Sequence, residues 1–336
     1  MARRLHAFIA FAAGGALVSC GQISLSPLHA ASSASDGSRF GRGREHPAWI
    51  SRTAKARDLL YVSSHDSSQV GYSDVFVFDY PAGELRGRLT GFTQPGGLCV
   101  DAAQDVFVTD YAESETIEYR HGDAVPTATL EDTGAFPGGC SVDPTSGALA
   151  VSNVYGTGNN ASIEIYPHAK APPTTYTDPS LFNITACAYD DSGNLFVDGL
   201  DHNLRSGFGE LSKGSTAFVT IALPSRIKLY GPLAWDGRFV TIVDGSTGFL
   251  YRLKVAGSRA TAPGTTKLLG VNGLGQYTIV SSSSSKRGAS SLFLVGPNYN
   301  SGNAAFWNYP RGGNPTKTLG FIDQPLGAIV SRRTHR

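Results

Sequence analysis

The chain has 336 residues, 41% of them hydrophobic and only 16% charged, with 40 Gly, 18 Pro and a single Met. That balance weighs against a mostly helical protein and suits many short strands joined by tight turns. The net charge of +1 hides an acidic body: residues 58–331 hold 17 Lys and Arg against 25 Asp and Glu, which excludes nucleic acid as the ligand because phosphate binding needs a basic face.

The N-terminus reads as an export signal. Arg3 and Arg4 precede the apolar run Ala7–Ser19. The run is too short to span a bilayer, which takes about 20 residues. It ends in Leu17-Val18-Ser19-Cys20-Gly21, a pattern that resembles the bacterial lipobox. Acylation of Cys20 would anchor a soluble domain to a membrane without a transmembrane helix. The alternative is cleavage after Leu28-His29-Ala30, which leaves a secreted soluble protein. Residues 1–20 are therefore expected to be the signal. Residues 21–57, rich in Ser, Ala, Gly and Arg, are expected to be a flexible basic linker.

From Leu59 onward one pattern recurs. An apolar strand appears at Leu59–Ser63, Val106–Asp110, Leu149–Asn153, Leu195–Gly199, Phe239–Gly245 and Leu292–Gly296. Counted from Leu60, Val106, Leu149, Leu195, Phe239 and Leu292, the spacings are 46, 43, 46, 44 and 53 residues, the length of a four-stranded propeller blade. A second strand follows each, often ending in an aromatic and a Pro or Gly turn, as in Tyr80-Pro81 and Tyr309-Pro310. A third strand comes next. A fourth then follows, as in Pro95–Asp101, Pro137–Asp143, Ile184–Asp190, Gly231–Gly237 and Gln324–Ser331. The last of these has no unit after it, and the first unit has no such strand before it. Setting Gln324–Ser331 beside Leu59–Ser63 closes the ring and removes both sheet edges. The expected architecture is an all-β, six-bladed β-propeller over residues 58–331, ending in a basic tail at 332–336. The 53-residue spacing is assigned to a surface loop at Ser281–Gly288.

The elements Pro95–Asp101, Pro137–Asp143 and Gly193–Asp198 give the chain a resemblance to NHL-type six-bladed propellers. The segments Tyr80–Gly83 and Asp190–Asp198 resemble those of bacterial envelope lipoproteins. The resemblance extends to gluconolactonase-like enzymes, whose metal is held by Glu, Asn and Asp around the channel mouth. It implies candidate ligand or metal residues at Ser64, Asp110, Asn153, Asp198 and Asp244, with Ca²⁺ or another divalent cation the fitting ion. The competing expectation is that such side chains cap their own turns.

Other patterns are weaker. His65 and His202 stand on opposite blades with no third ligand for zinc. Of the cysteines after Cys20, strand alternation lets only Cys99 and Cys140 face each other across one interface; free buried thiols are the competing state. No G-x-S-x-G, P-loop or H-E-x-x-H motif occurs. The expected function is an exported, lipid-anchored binding or scaffold propeller for a small molecule or protein. The alternative is a metal-dependent lactonase or esterase at the top of the channel.

Overall fold

The computed structural model describes residues 47–65, 73–132, 135–155, 161–227, 231–282, 291–320 and 322–333. Cys20, the export signal, the stretch 21–46, most of the serine-rich loop at 283–288 and residues 334–336 lie outside them. No helix among the described residues is long and apolar enough to cross a membrane.

The strands form six antiparallel sheets. Blade 1 contains β1 (Trp49–Ile50), β2 (Leu59–Ser64), β3 (Ser73–Asp79) and β4 (Leu85–Phe92). Blade 2 is β5 (Pro95–Val100), β6 (Val106–Asp110), β7 (Glu115–Tyr119) and β8 (Pro126–Glu131). Blade 3 is β9 (Pro137–Val142), β10 (Leu149–Asn153), β11 (Ser162–Tyr166) and β12 (Thr174–Tyr176). Blade 4 is β13 (Leu181–Tyr189), β14 (Leu195–Asp201), β15 (Ser206–Leu211) and β16 (Val219–Thr220). Blade 5 is β17 (Leu233–Trp235), β18 (Val240–Asp244), β19 (Phe249–Ala256) and β20 (Arg259–Lys267). Blade 6 is β21 (Thr278–Ser281), β22 (Leu292–Asn298), β23 (Asn303–Tyr309) and β24 (Lys317–Gly320). The last strand, β25 (Pro325–Ser331), pairs with β2 and is the innermost strand of blade 1, in register Leu59 to Ser331 and Tyr61 to Ile329. The chain is a six-bladed β-propeller, closed by joining its two ends.

The core is divided among the joints between blades. Strand side chains alternate faces, so each blade feeds two interfaces. In β6, Val106 and Val108 pack toward blade 1 with Tyr61, Val77 and Leu89, while Phe107 packs toward blade 3 with Leu149 and Tyr166. That is why all five residues of β6 are buried, a pattern foreign to a one-sided sheet. The closing joint is filled by Leu60, Val62 and Phe78 against Phe306, Ala328 and Val330. Full burial of each such large side chain contributes roughly 1.5–3 kcal/mol.

Two boundaries differ from the sequence reading. The linker expected to run to residue 57 ends sooner, because Pro47–Arg57 belongs to blade 1. Trp49 and Ile50 pair with Arg88 and Gly87, covering the outer edge of β4 with a fifth strand. Ala54 is fully buried, and Lys55 lies 2.6 Å from Asp123 of blade 2. Basic side chains that look like linker in sequence are thus used against an acidic neighbour. Likewise Arg332 is no free tail residue: its guanidinium meets Asp58 at 2.6 Å. The innermost strand of blade 6, β21, has no Pro-Gly start, and Ser281 closes it instead of opening a loop.

Candidate ligand-binding face at the channel mouth

The innermost strands β25, β5, β9, β13, β17 and β21 line the central channel. They begin at one end of the ring, here the mouth face. The turns after β6, β10, β14, β18 and β22 open on the same end. The channel below is tight. Its cavity is about 40 Å³, lined by Gly96, Gly97, Gly138, Gly139, Thr185 and Gln276 among others, room for a few waters at roughly 10–15 Å³ each. Glycine makes this closeness possible: a Cβ on Gly97 would stand 2.1 Å from Gln276 Oε1 and 2.7 Å from Gly139 Cα. Gln276 then plugs the space. Its Oε1 accepts from Leu98 N at 2.9 Å, and its Nε2 donates to Leu98 O at 3.0 Å and Cys140 O at 3.3 Å. One side chain of blade 6 thereby joins blades 2 and 3 across the axis.

The five side chains singled out in sequence do not converge on one point; they sit in different blades, each engaged locally. Ser64 donates to Asp323 O at 2.5 Å. Asp110, fully buried, accepts from Thr93 N and Gln94 N, both at 2.8 Å, and so holds the entry to β5. Asn153, also fully buried, donates to Ser162 Oγ at 3.3 Å. Asp198 accepts from Gly231 N at 2.8 Å and Thr185 Oγ1 at 3.2 Å. Asp244 is ringed by its own turn, accepting from Ser246 and Thr247. Asp110 and Asp198 would have to give up backbone amides to hold an ion, and the five side chains come from five blades, so the set does not gather into a metal centre. Among the described residues no group of three His, Cys, Asp or Glu could hold one either. His65 and His202 keep separate company, with Ser73 Oγ at 3.2 Å and Pro179 O at 3.1 Å.

Asp198 explains its odd position in the repeat. Ser63 donates to Gly96 O of blade 2 at 2.6 Å, and Thr109 donates to Gly138 O of blade 3 at 3.2 Å. Asp198 occupies the same slot and reaches Gly231 of blade 5 instead. It is a blade-to-blade clip with a carboxylate in place of a hydroxyl. Burial, only partly offset by the Gly231 and Thr185 hydrogen bonds, pushes its pKa up to about 8. Asp132, at the end of β8 and 2.6 Å from the Tyr166 hydroxyl, is raised to about 7, mainly by burial.

Cys99 of β5 and Cys140 of β9 are joined in a disulfide, with Cα atoms 5.7 Å apart. Among the described residues Cys187 is the free thiol; it is buried, and burial raises its pKa to about 12. The staple ties the same two strands that receive Gln276.

Sequence reasoning passed over the apolar part of the mouth. Tyr111 and Phe136 meet tilted with centroids 5.0 Å apart, and Tyr155 with Phe182 and Phe182 with His202 meet edge to face at 5.8 Å and 6.4 Å. Phe136 N donates to Tyr155 O at 3.0 Å, which joins the two groups. Five rings therefore cross the mouth of blades 2 to 4. The signal available in sequence was an aromatic one or two residues after the strand-ending Asp110 and Asn153.

Two solved structures share this architecture. A chain of a nidogen/laminin complex matches with a TM-score of 0.62 and 13% identity, over 82% of this chain and 99% of that one. A protein from Lactobacillus plantarum matches with a TM-score of 0.54 and 14% identity, again over 82% and 99%. At such identities the likeness is one of fold. No protein-family profile and no curated protein matches the chain.

Proposed function

We propose that this chain is an exported, lipid-anchored binding propeller whose partner docks on the mouth face. The observation that carries this reading is a division of labour at the mouth. Ser64, Asp110, Asp198 and Asp244 around the channel are engaged in holding loops, while the exposed Phe136 and His202 and the half-buried Tyr155 and Phe182 beside them are left for contact. A plugged channel of about 40 Å³ suits a surface binder better than a hydrolase that must admit substrate. Export and anchoring through Cys20 are supported by the N-terminal pattern and by the Cys99–Cys140 disulfide, which belongs in an oxidising compartment. A fold neighbour crystallised within a protein complex is in keeping with a protein partner.

The test is chemical crosslinking in intact cells that make the full chain. Wild type is compared with a chain carrying Phe136→Ser and Phe182→Ser. A partner crosslinked to the wild type and lost from a variant of unchanged melting temperature is the expected result. Equal crosslinking by both would remove the mouth face from consideration.

A further inference from the structure

The charge of the ring is unevenly placed. Residues 93–178, which form blades 2 and 3, hold 12 Asp and Glu against Arg120 and Lys170 alone. Residues 179–323, which form blades 4 to 6, hold 8 against 13 Lys and Arg. The excess is felt inside the acidic sector. At the end of blade 2 remote from the mouth, burial raises the pKa of Glu118, and the neighbouring Asp105 and Asp101 raise it further. Burial also raises Asp110, and the charge of Glu113 adds to it. These are carboxylates short of cations.

The aromatic ridge lies on the mouth side of this sector. Phe136 is 39% exposed, His202 is exposed, and Tyr155 and Phe182 are half-buried. Elsewhere the molecule covers its own rings with cations: Lys267 lies 4.3 Å from the Phe249 centroid, Arg332 5.1 Å from Tyr80 and Arg88 5.5 Å from Phe76. Among the described residues no Lys or Arg lies over a ring of the ridge. Exposed Glu113, bonded to Thr93 Oγ1 at 2.6 Å, flanks one end. At the other end stands Leu204, 68% exposed and held at φ 58°. The left-handed conformation costs a side chain on the order of 1–2 kcal/mol, here offset by Asp201 accepting from Asn203 N and Arg205 N at 2.8 Å. A strained turn that displays a leucine to solvent is a mark of a contact surface.

We infer that the mouth of blades 2 to 4, from Tyr111 through Phe136, Tyr155 and Phe182 to Leu204, docks a lysine- or arginine-bearing polypeptide segment of another protein. Cationic heads would lie over the accessible parts of Phe136, Tyr155 and Phe182, where each is attracted within about 6 Å of the centroid. The carboxylates steer the approach, and Leu204 offers an apolar anchor at the rim. The inference rests on the mouth-face reading above and adds the partner's chemistry to it.

The experiment uses the fragment Pro47–Arg336, which contains every strand of the closed ring. Fluorescein-labelled nona-arginine, nona-glutamate and chitohexaose are titrated by anisotropy at about 50 mM salt, where charge is little screened. Nona-arginine should bind and nona-glutamate should not. Phe136→Ser with Phe182→Ser keeps the charge, yet should weaken nona-arginine about tenfold. Phe249→Ser, on blade 5, should change nothing. Glu113→Gln, an exposed change that leaves the rings intact, should weaken binding about threefold and lose that effect in high salt. Nona-arginine binding that ignores both the ring and the Glu113 changes would overturn the inference, as would its absence. Salt-insensitive binding of chitohexaose lost with the rings would make the ridge a saccharide platform instead. If the crosslinked partner depends on the rings but nona-arginine does not, the cationic chemistry fails and the mouth face stands.

Discussion

Blades 2 and 3 and blades 5 and 6 solve the same closure problem with different parts. In the first pair the inner strands β5 and β9 both start with Pro-Gly-Gly and run six residues. A disulfide joins them, and Thr109 of blade 2 clips to blade 3. In the second pair the inner strands shrink to three and four residues, β17 and β21. The joint there uses Thr241 with the buried Tyr277 hydroxyl at 2.7 Å, and on its other side blade 6 meets blade 1 where Gln276 pairs in parallel with Gly327. Their surfaces differ as well: the first pair is acidic with uncovered rings, whereas Phe249 of the second sits under Lys267. A ring needs equivalent backbones but not equivalent side chains. Function is to be sought where the side chains are not matched within the molecule.

The largest effect expected from breaking this contrast is loss of the staple. Cys99 and Cys140 are 41 residues apart, and closing such a loop stabilises by about 4 kcal/mol in the chain-entropy account. Cys99→Ala with Cys140→Ala should lower the urea midpoint accordingly, whereas Cys187→Ala should cost only about 1 kcal/mol. Equal losses would mean that the staple adds nothing special to blades 2 and 3. Next comes Asp110→Ala, which strands two buried amides and should cost about 2–4 kcal/mol. Asp244→Ala, in a turn open to water, should cost about 1 kcal/mol or less. Urea melts of the two side by side would separate a buried holding role from a local cap. Gly97→Ala should follow at about 1–3 kcal/mol, because its Cβ would meet Gln276 and the Gly139 backbone. Gly320→Ala, with nothing within 4 Å of its Cβ, serves as the control.

The same contrast decides what was legible in the sequence. The Pro-Gly-Gly starts and the strand spacing come from backbone demands that recur, so the blade count and the closure by Gln324–Ser331 can be read directly. Inner strand β21 lacks those marks because Tyr277 holds it to the neighbouring blade 5 and Gln276 to the distant blades 2 and 3 by side-chain contacts. Nothing local to Thr278–Ser281 announces that. Pro47–Arg57 reads as linker because its value lies in partners far away, Asp123 and the β4 edge. The slot residues Ser64, Asp110, Asn153, Asp198 and Asp244 stand out as polar groups in apolar strands, yet sequence alone does not tell a ligand site from a loop clasp. The aromatic ridge stayed hidden because its five rings come from three blades and become neighbours only when the ring closes.

The last effect expected is a pH slope, and it reports on the seam between the two halves. Asp198, which clips blade 4 to blade 5, titrates at about 8 when folded, against ~3.9 unfolded. Between those values the folded state keeps a proton that the unfolded chain has released. Its contribution is therefore full below pH 4 and fades as pH rises through about 8. Asp132, raised to about 7 at the junction of blades 2 and 3, acts with the same sign and finishes earlier. At Asp244 burial is outweighed by hydrogen bonds from Thr247 and Ser246, so its pKa falls and its opposite effect is confined to more acidic solution. The melting temperature should thus fall from pH 5 to pH 8.5, the sign being set by the raised pKa values of Asp198 and Asp132. Asp198→Asn should flatten the part of that slope above pH 7, where Asp198 acts alone, and reduce the part below it to what Asp132 supplies. A slope unchanged by Asp198→Asn would show that the clip between the halves is already ionised at neutral pH, with its charge met by the Gly231 and Thr185 donors alone.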